Sequence, residues 1–201
     1  MRVFPPYETT IANKEYKKYP YLLNAFKNDN NQVWSTDITY IKLAKGFAYL
    51  SAIIDWNTKK ILSWKLSNSM DVSLTTGVLK EALSLYPKPE IVNTDQGSQY
   101  TAKEHIDILV DNNISISMDA KGRSIDNIVI ERFWRSLKYE DVYLQNYNTI
   151  KEARAGIKKY INLYNQERLY SALDYNTPDE VYFKGANNYE FDAKVMLLSV
   201  S

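Results

Sequence analysis

The chain has 201 residues, 45% of them hydrophobic and 24% charged, enough for one domain with a real core and too apolar for a disordered chain. It has no cysteine and a single histidine, His105, which excludes disulfides, thiol nucleophiles, cysteine-held zinc and any site needing two histidines. No apolar run approaches the roughly 18 residues of a membrane span, and the N-terminus lacks an apolar signal core. A formal net charge of +1 is low for a chain that grips a DNA backbone unaided. Nucleic acid is then not the partner, or the basic groups are clustered, or a DNA-binding part lies elsewhere.

Residues 1–31 read as a basic arm, with Arg2, Lys14, Lys17, Lys18 and Lys27 against Glu8, Glu15 and Asp29. The arm is either a weakly ordered leader or a linker that tracks DNA. Three strands are predicted next. Val33–Leu43 is rich in β-branched and aromatic residues, and Val33, Ser35, Asp37, Thr39 and Ile41 share one face. Phe47–Asp55 is apolar enough to be buried on both faces, while Lys60–Ser67 alternates more and belongs nearer an edge. The short links Lys45-Gly46 and Trp56–Lys59 suit antiparallel hairpins.

A helix over Val72–Leu85 follows, capped by Asp71 and stopped by Pro87 and Pro89. A short strand over Glu90–Asn93 leads to Thr94-Asp95-Gln96-Gly97, then a helix over Thr101–Asp111 and a short strand over Ile114–Met118. The loop Asp119–Arg123 precedes a helix over Ser124–Lys138. Two capping boxes, Thr149 with Glu152 and Thr177-Pro178 with Glu180, open the C-terminal helices. Three hairpin-linked strands and then alternating helices and strands predict an α/β fold of the ribonuclease-H-like order: three layers around a five-stranded mixed sheet, plus C-terminal helices. The expected divisions are the arm at 1–31, a core with its C-terminal helices at 32–183 and a tail at 184–201.

Three carboxylates stand out by context. Asp37 lies mid-strand among small polar neighbours, where an unpaired charge is costly to bury. Asp95 falls just past a strand's C-terminal end, where open α/β sheets bind ligands. Glu131 sits on an otherwise apolar helix, and Asn127, Glu131, Trp134 or Arg135, and Lys138 recur there at helical spacing. Such groups repel one another unless a cation joins them, and hard divalent ions take oxygen ligands. The rival reading makes a strand Asp a ladder or turn residue and a helix Glu a solvated one. Asp55, Asp71, Asp119 and Asp126 all sit at element ends: Asp71 and Asp126 as helix N-terminal charges, Asp55 as a hairpin residue. His105 is expected on an exposed or half-buried helix face, with no role. Trp34, Trp56, Trp64 and Trp134 are expected in the core rather than as base-stacking platforms.

Four motifs occur in order. They are Trp34–Ile41 around Asp37, Asn93–Tyr100 around Asp95, Asp126–Trp134 with Leu137, Lys138 and Glu140 around Glu131, and Tyr160–Asn165 with Arg168, Leu173, Thr177-Pro178 and Glu180. Together they resemble the bacterial insertion-sequence transposases related to the retroviral integrase catalytic core. The 35 residues between Asp95 and Glu131, and the seven-residue step from Glu131 to Lys138, match that family's spacing. The family often has His where this chain has Tyr170.

The resemblance implies a DNA transposase of the polynucleotidyl-transferase type. Asp37, Asp95 and Glu131 would be catalytic and would hold two Mg²⁺ or Mn²⁺ ions roughly 3.5–4 Å apart, which clamp the attacking and leaving oxygens of a phosphodiester. Its substrates would be transposon ends and target DNA, handled by a homo-oligomer in a synaptic complex, in the bacterial cytoplasm and not at a membrane. A helix-turn-helix part supplied upstream or separately would recognise the element ends. Lys121, Arg123, Arg132, Arg135 and Lys138 are candidate phosphate contacts, with plain solvated charges, or a helix-end lysine in the case of Lys138, as the alternative. Asn127 would orient Glu131 or a metal-bound water, and Gly122 would let the loop before the helix move. The competing readings are a non-catalytic, truncated DNA- or partner-binding fragment and a ribonuclease-H-like hydrolase of RNA in hybrids.

Overall fold

The computed structural model describes residues 19–23, 29–119 and 127–186. Strands β1 (Val33–Lys42), β2 (Phe47–Asp55) and β3 (Ile61–Ser67) form an antiparallel meander. Helix α1 (Val72–Leu85) returns the chain to β4 (Ile91–Thr94), which lies parallel to β1, and β5 (Ser115–Met118) lies parallel to β4. The sheet order is β3-β2-β1-β4-β5, the five-stranded mixed sheet expected from the sequence. Asp71 caps α1 by accepting the Leu74 N–H at 3.3 Å.

Alternation along the central strands fills both faces. Ile41, Leu50 and Ile54 face one layer, built on Phe133 and Leu137 of α4 (Ile128–Leu137) and on Ile157 of α6 (Ile150–Gln166). Trp34 and Ile53 face the other, with Val78 and Leu79 of α1 and Leu109 of α3 (Lys103–Asp111). Trp34 is fully buried. The end of the predicted arm packs on this body: Leu23 is buried beside Val33, and the Leu22 N–H donates to Ser117 Oγ at 3.1 Å. No helix among the described residues is long and apolar enough to cross a membrane.

The C-terminal helices are tied to the sheet by side chains that replace missing backbone partners. Asn165 of α6 donates to the Ile61 carbonyl and accepts the Ile61 N–H, both at 2.9 Å, so its amide acts as an extra strand residue at the edge of β3. Helix α7 (Pro178–Ala186) opens with a reciprocal capping box: Thr177 Oγ1 accepts the Glu180 N–H at 3.2 Å, and Glu180 accepts the Thr177 N–H at 2.8 Å. In the box opening α6, Glu152 accepts the Asn148 N–H at 3.0 Å, one residue ahead of the Thr149 cap. Lys60, buried beneath the Tyr86, Tyr182 and Phe183 rings, pairs with Asp179 and anchors α7.

Three expectations change. The helix predicted over Thr101–Asp111 begins only at Lys103, as α3, because Ala102 is extended at ψ 142°, and a separate short helix, α2 (Ser98–Thr101), precedes it. The helix predicted to end at Lys138 runs on from α4 into a π-helical turn (Lys138–Val142) and α5 (Tyr143–Gln145); Ser124 and Asp126 lie outside the described residues. His105 is buried rather than exposed or half-buried, because α3 presents it with Leu109 to the core, edge-on to the Tyr100 ring at 5.3 Å.

Neither ring nitrogen of His105 has a hydrogen-bond partner among the described residues, and burial pushes its pKa down to about 4. A histidine kept neutral in the fold charges first in the unfolded chain, so its contribution to stability falls as pH drops from about 6.5 towards 4. Urea unfolding of wild type and His105→Leu from pH 7.5 to 4.5 checks this. The stability difference should shift in favour of the variant by about 3 kcal/mol across that range, and a pH-independent difference would contradict the assignment.

Candidate active site

The crevice between β1 and β4 is where the sheet's connections diverge, towards β2 on one side and β5 on the other. Such a switch point leaves a cleft beyond the strand ends that no crossover covers. The parallel register pairs Ser35 with Asn93, and the same offset continued by two residues sets Asp37 beside Asp95, just past β4. Across the next pair, Thr94 opposes Met118, so the following step brings Asp119 alongside Asp95. Asp119 anchors this turn: its carboxylate accepts from Asn93 Nδ2 and its carbonyl from Gln96 Nε2, both at 2.9 Å.

Asp95 is aimed by its own backbone. Its Oδ1 accepts the Gly97 N–H at 2.8 Å, closing an Asx turn. A Cβ at position 97 would lie 2.8 Å from that same oxygen, so a larger residue there would push the Asp95 carboxylate out of this position. The residue is exposed overall, yet partial desolvation of its carboxyl raises its pKa, while the Gly97 N–H acts against the rise.

Asp37 has the strongest electrostatic signature. Its Oδ2 accepts from Trp134 Nε1 at 3.0 Å. Burial, and then the negative charges of Asp95 and Glu131, push its pKa up to about 6, against the lowering effect of the Ile38 N–H and the Trp134 indole. The three sequence-selected carboxylates therefore stand near enough for two of them to act on the third, although they come from a strand, a turn and a helix.

Glu131 lies in the first turn of α4 and is exposed. Trp134 is three residues on, and Lys138 four beyond that, so the three share the side of α4 that looks towards Asp37. The half-buried Lys138 has its pKa lowered by desolvation, with the Asp37 charge working the other way. Ile130, Phe133 and Leu137 face the core.

Sequence reasoning had Trp134 as a core residue. It is buried, and it also supplies the only side-chain hydrogen bond found for Asp37 among the described residues. Tyr100 was missed. Fully desolvated, its hydroxyl lies 3.4 Å from Thr36 Oγ1, and its pKa is held well above the ordinary value by burial and then by the Asp37 charge. Its one sequence signal was its place five residues after Asp95.

Arg132 and Arg135 are exposed on α4, as phosphate contacts would need to be. Asn127 precedes α4 with a buried side chain that makes no capping bond, and its Oδ1 has no partner among the described residues. Lys121, Gly122 and Arg123 lie outside the described residues.

The donor set is all oxygen and negatively charged, which suits a hard divalent cation, and the repulsion that Asp95 and Glu131 exert on Asp37 is what such a cation would relieve. As placed, no group of three acidic or histidine side chains among the described residues closes into a metal cage. Asp37 is turned to Trp134 and Asp95 to Gly97.

A carboxylate whose pKa is raised in the fold destabilises it above that pKa, and the penalty fades as pH falls from about 6 towards 3.8. Without metal, Asp37→Asn should be more stable than wild type at pH 7.5 by on the order of 1–3 kcal/mol. Chemical denaturation at pH 7.5 and 4.5 should show that advantage shrinking at the lower pH; a destabilised variant at pH 7.5 would count against the arrangement.

Two family models, each described as an integrase core domain, match residues 27–124 and 112–178. The transposase for insertion sequence element IS904 of Lactococcus lactis is 38% identical over 153 residues, covering 75% of this chain and 60% of the relative. An uncharacterized 31 kDa protein of insertion element IS600 from Shigella sonnei is 34% identical over 175 residues, covering 85% and 64%. The transposase InsF for insertion sequence IS3A of Escherichia coli is 33% identical over 153 residues, covering 75% and 53%. The chain thus spans between about half and two thirds of the length of these curated relatives.

Among solved structures, the fold resembles the HTLV-2 integrase catalytic core domain in complex with magnesium (TM-score 0.62, 20% identity, 77% of this chain and 97% of that one). It also resembles the simian T-cell lymphotropic virus intasome in complex with a PP2A regulatory subunit (TM-score 0.68, 16% identity, 85% and 60%).

Proposed function

Since the chain belongs to the integrase core domain family and has insertion-sequence transposases among its relatives, we propose that it is the catalytic core of a DNA transposase that nicks element ends and joins them to target DNA. Asp37, Asp95 and Glu131 are the proposed catalytic groups. The observation that carries this reading is geometric: the β1–β4 register sets Asp37 beside Asp95 just past β4, and Trp134, three residues after Glu131 on α4, bonds Asp37 at 3.0 Å; burial and then the charges of Asp95 and Glu131 raise the Asp37 pKa accordingly. Structural ion pairs bring opposite charges together; like charges gathered in a cleft point to a site that a cation completes.

The three carboxylates are proposed to hold two divalent ions, Mg²⁺ or Mn²⁺. These ions would supply an activated hydroxyl and neutralise charge on the leaving oxygen. The protein's own groups then do the positioning. Trp134 orients Asp37 through its indole N–H. The Gly97 turn holds Asp95 at the mouth of the crevice. Lys138 offers a cation to a phosphate beside Asp37, and the exposed Arg132 and Arg135 extend that basic edge along α4. In the reaction a water or a DNA 3′-hydroxyl attacks phosphorus in line and the 3′ oxygen departs, so nicking and joining use one site. Joining two element ends calls for more than one copy of the core, and a homo-oligomer is the proposed working form.

A joining assay with a pre-nicked element end and Mg²⁺ or Mn²⁺ tests the proposal. Joined product is expected, and Asp37→Asn, Asp95→Asn and Glu131→Gln should each reduce it by about 10²–10³-fold or more. Cleavage confined to RNA in hybrids would make the chain a hydrolase, and absence of any product would make it a binding fragment. In parallel, Mn²⁺ should raise the melting temperature of wild type and leave Asp37→Asn unmoved, since only a site present in the fold transmits binding energy to stability. Replacing Arg132 or Arg135 by Ala should weaken DNA binding and lower the salt slope by about one each.

A further inference from the structure

The helix bearing Glu131 does not stop where its core-facing stripe would end it. Past Leu137 the chain widens into the π-helical turn Lys138–Val142, in which the Tyr143 N–H reaches back five residues to the Lys138 carbonyl. Such turns are rare and poorly bonded, and they persist where surrounding structure holds them. Here the burial pattern demands one: Leu137 and Val142, five residues apart, enter the same core cluster, a spacing that an ordinary α-helix would not bring onto one face.

Two adjacent acidic residues of the turn are each claimed from a distance. Glu140 accepts from the Tyr160 hydroxyl of α6 at 2.8 Å and forms an ion pair with Arg168. Arg168 also donates to Tyr160 Oη at 3.3 Å, and its guanidinium lies over the Tyr170 ring at 5.3 Å. Burial alone would raise the Glu140 pKa, but the Arg168 and Tyr160 bonds hold it below the ordinary value.

The neighbouring Asp141 is buried and accepts from Tyr147 Oη at 2.8 Å. Room for that hydroxyl comes from Gly156, in the middle of α6, where any Cβ would fall 1.7 Å from it. A glycine inside a helix costs about 1 kcal/mol relative to alanine, so the space it leaves for the Tyr147 bond has a structural use.

We infer that Glu140, Tyr160 and Arg168 form a latch that fixes the π turn, and through it sets the roll of α4 that directs Glu131, Trp134 and Lys138 towards Asp37. Arg168 is then a positioning residue, acting from the segment after α6 without touching DNA or the reacting atoms. Tyr170 belongs to the same device as the flat surface under the guanidinium. The inference rests on the proposed joining activity for its kinetic readout, and on the fold alone for its exchange readout.

The test uses the full chain with Arg168→Ala, Arg168→Lys, Tyr160→Phe and the charge exchange Glu140→Arg with Arg168→Glu. Three quantities are read: the joining rate at saturating DNA, the DNA dissociation constant with its salt slope, and amide hydrogen exchange of residues 138–147 without DNA. For Arg168→Ala the rate should fall at least about tenfold, as a small misplacement of catalytic groups does. Affinity should stay within about twofold with an unchanged salt slope. Exchange over 138–147 should quicken at least about tenfold while the first turns of α6 stay protected. Arg168→Lys and the charge exchange should recover most of the rate.

Weakened affinity with a shallower salt slope and an unchanged saturating rate would make Arg168 a phosphate contact and overturn the inference. Unchanged rate and exchange would make the ion pair inert, with the same consequence. If Arg168→Ala does not fold, Tyr160→Phe, which removes one hydroxyl, carries the same expectation at about threefold. If wild type joins no DNA, the proposed function fails, while the exchange result still decides whether the latch holds the turn.

Discussion

Asp37 carries a negative charge into the middle of a sheet, and the charges of Asp95 and Glu131 act on it there. A fold selected only for stability would remove this arrangement, since desolvating one carboxylate beside two others costs free energy that its hydrogen bonds do not fully return. The surrounding architecture can be understood as the means of maintaining it. The β1–β4 register sets the end of β4 level with Asp37 in the middle of β1, the Gly97 turn keeps Asp95 at the mouth, and the packing of α4 on the core and on the turn that follows it directs Glu131 and Lys138.

Support for that arrangement reaches far along the chain. Asn165 ties α6 to the start of β3, Lys60, covered by three aromatic rings, pins α7 through Asp179, and the Glu140–Arg168 pair joins the end of the α4 helix to the segment after α6. In the sequence, Tyr160, Asn165, Arg168, Thr177 and Glu180 belong to the last of the four motifs. In three dimensions its members bond to backbone edges, helix ends and one another. Tyr170 sits in this same network, beneath the Arg168 guanidinium.

What the sequence disclosed follows from which interactions are local. The meander, the Asp71 cap and the two Thr–Glu boxes are settled by residues a few positions apart, and they appear nearly where expected. Asp37 could be selected because a charge within a strand is costly to bury unpaired, and Asp95 because it follows the C-terminal end of a strand, where open α/β sheets bind ligands. Non-local facts were less accessible. The burial of His105 depends on how α3 rolls against the sheet, and the indole bond from Trp134 to Asp37 spans 97 positions. The π turn arises because Leu137 and Val142 enter one core, a demand visible only once that core exists.

The central claim is that a divalent cation draws Asp37, Asp95 and Glu131 to a common point. The most direct measurement is anomalous diffraction at the manganese edge from crystals of the chain grown with Mn²⁺ and an element-end oligonucleotide. The account predicts anomalous peaks bonded to the carboxylates of Asp37 and Asp95, with Glu131 ligating at least one of the same ions. Manganese bound elsewhere, with Asp37 still bonded only to the Trp134 indole and Asp95 only to its own turn, would contradict it.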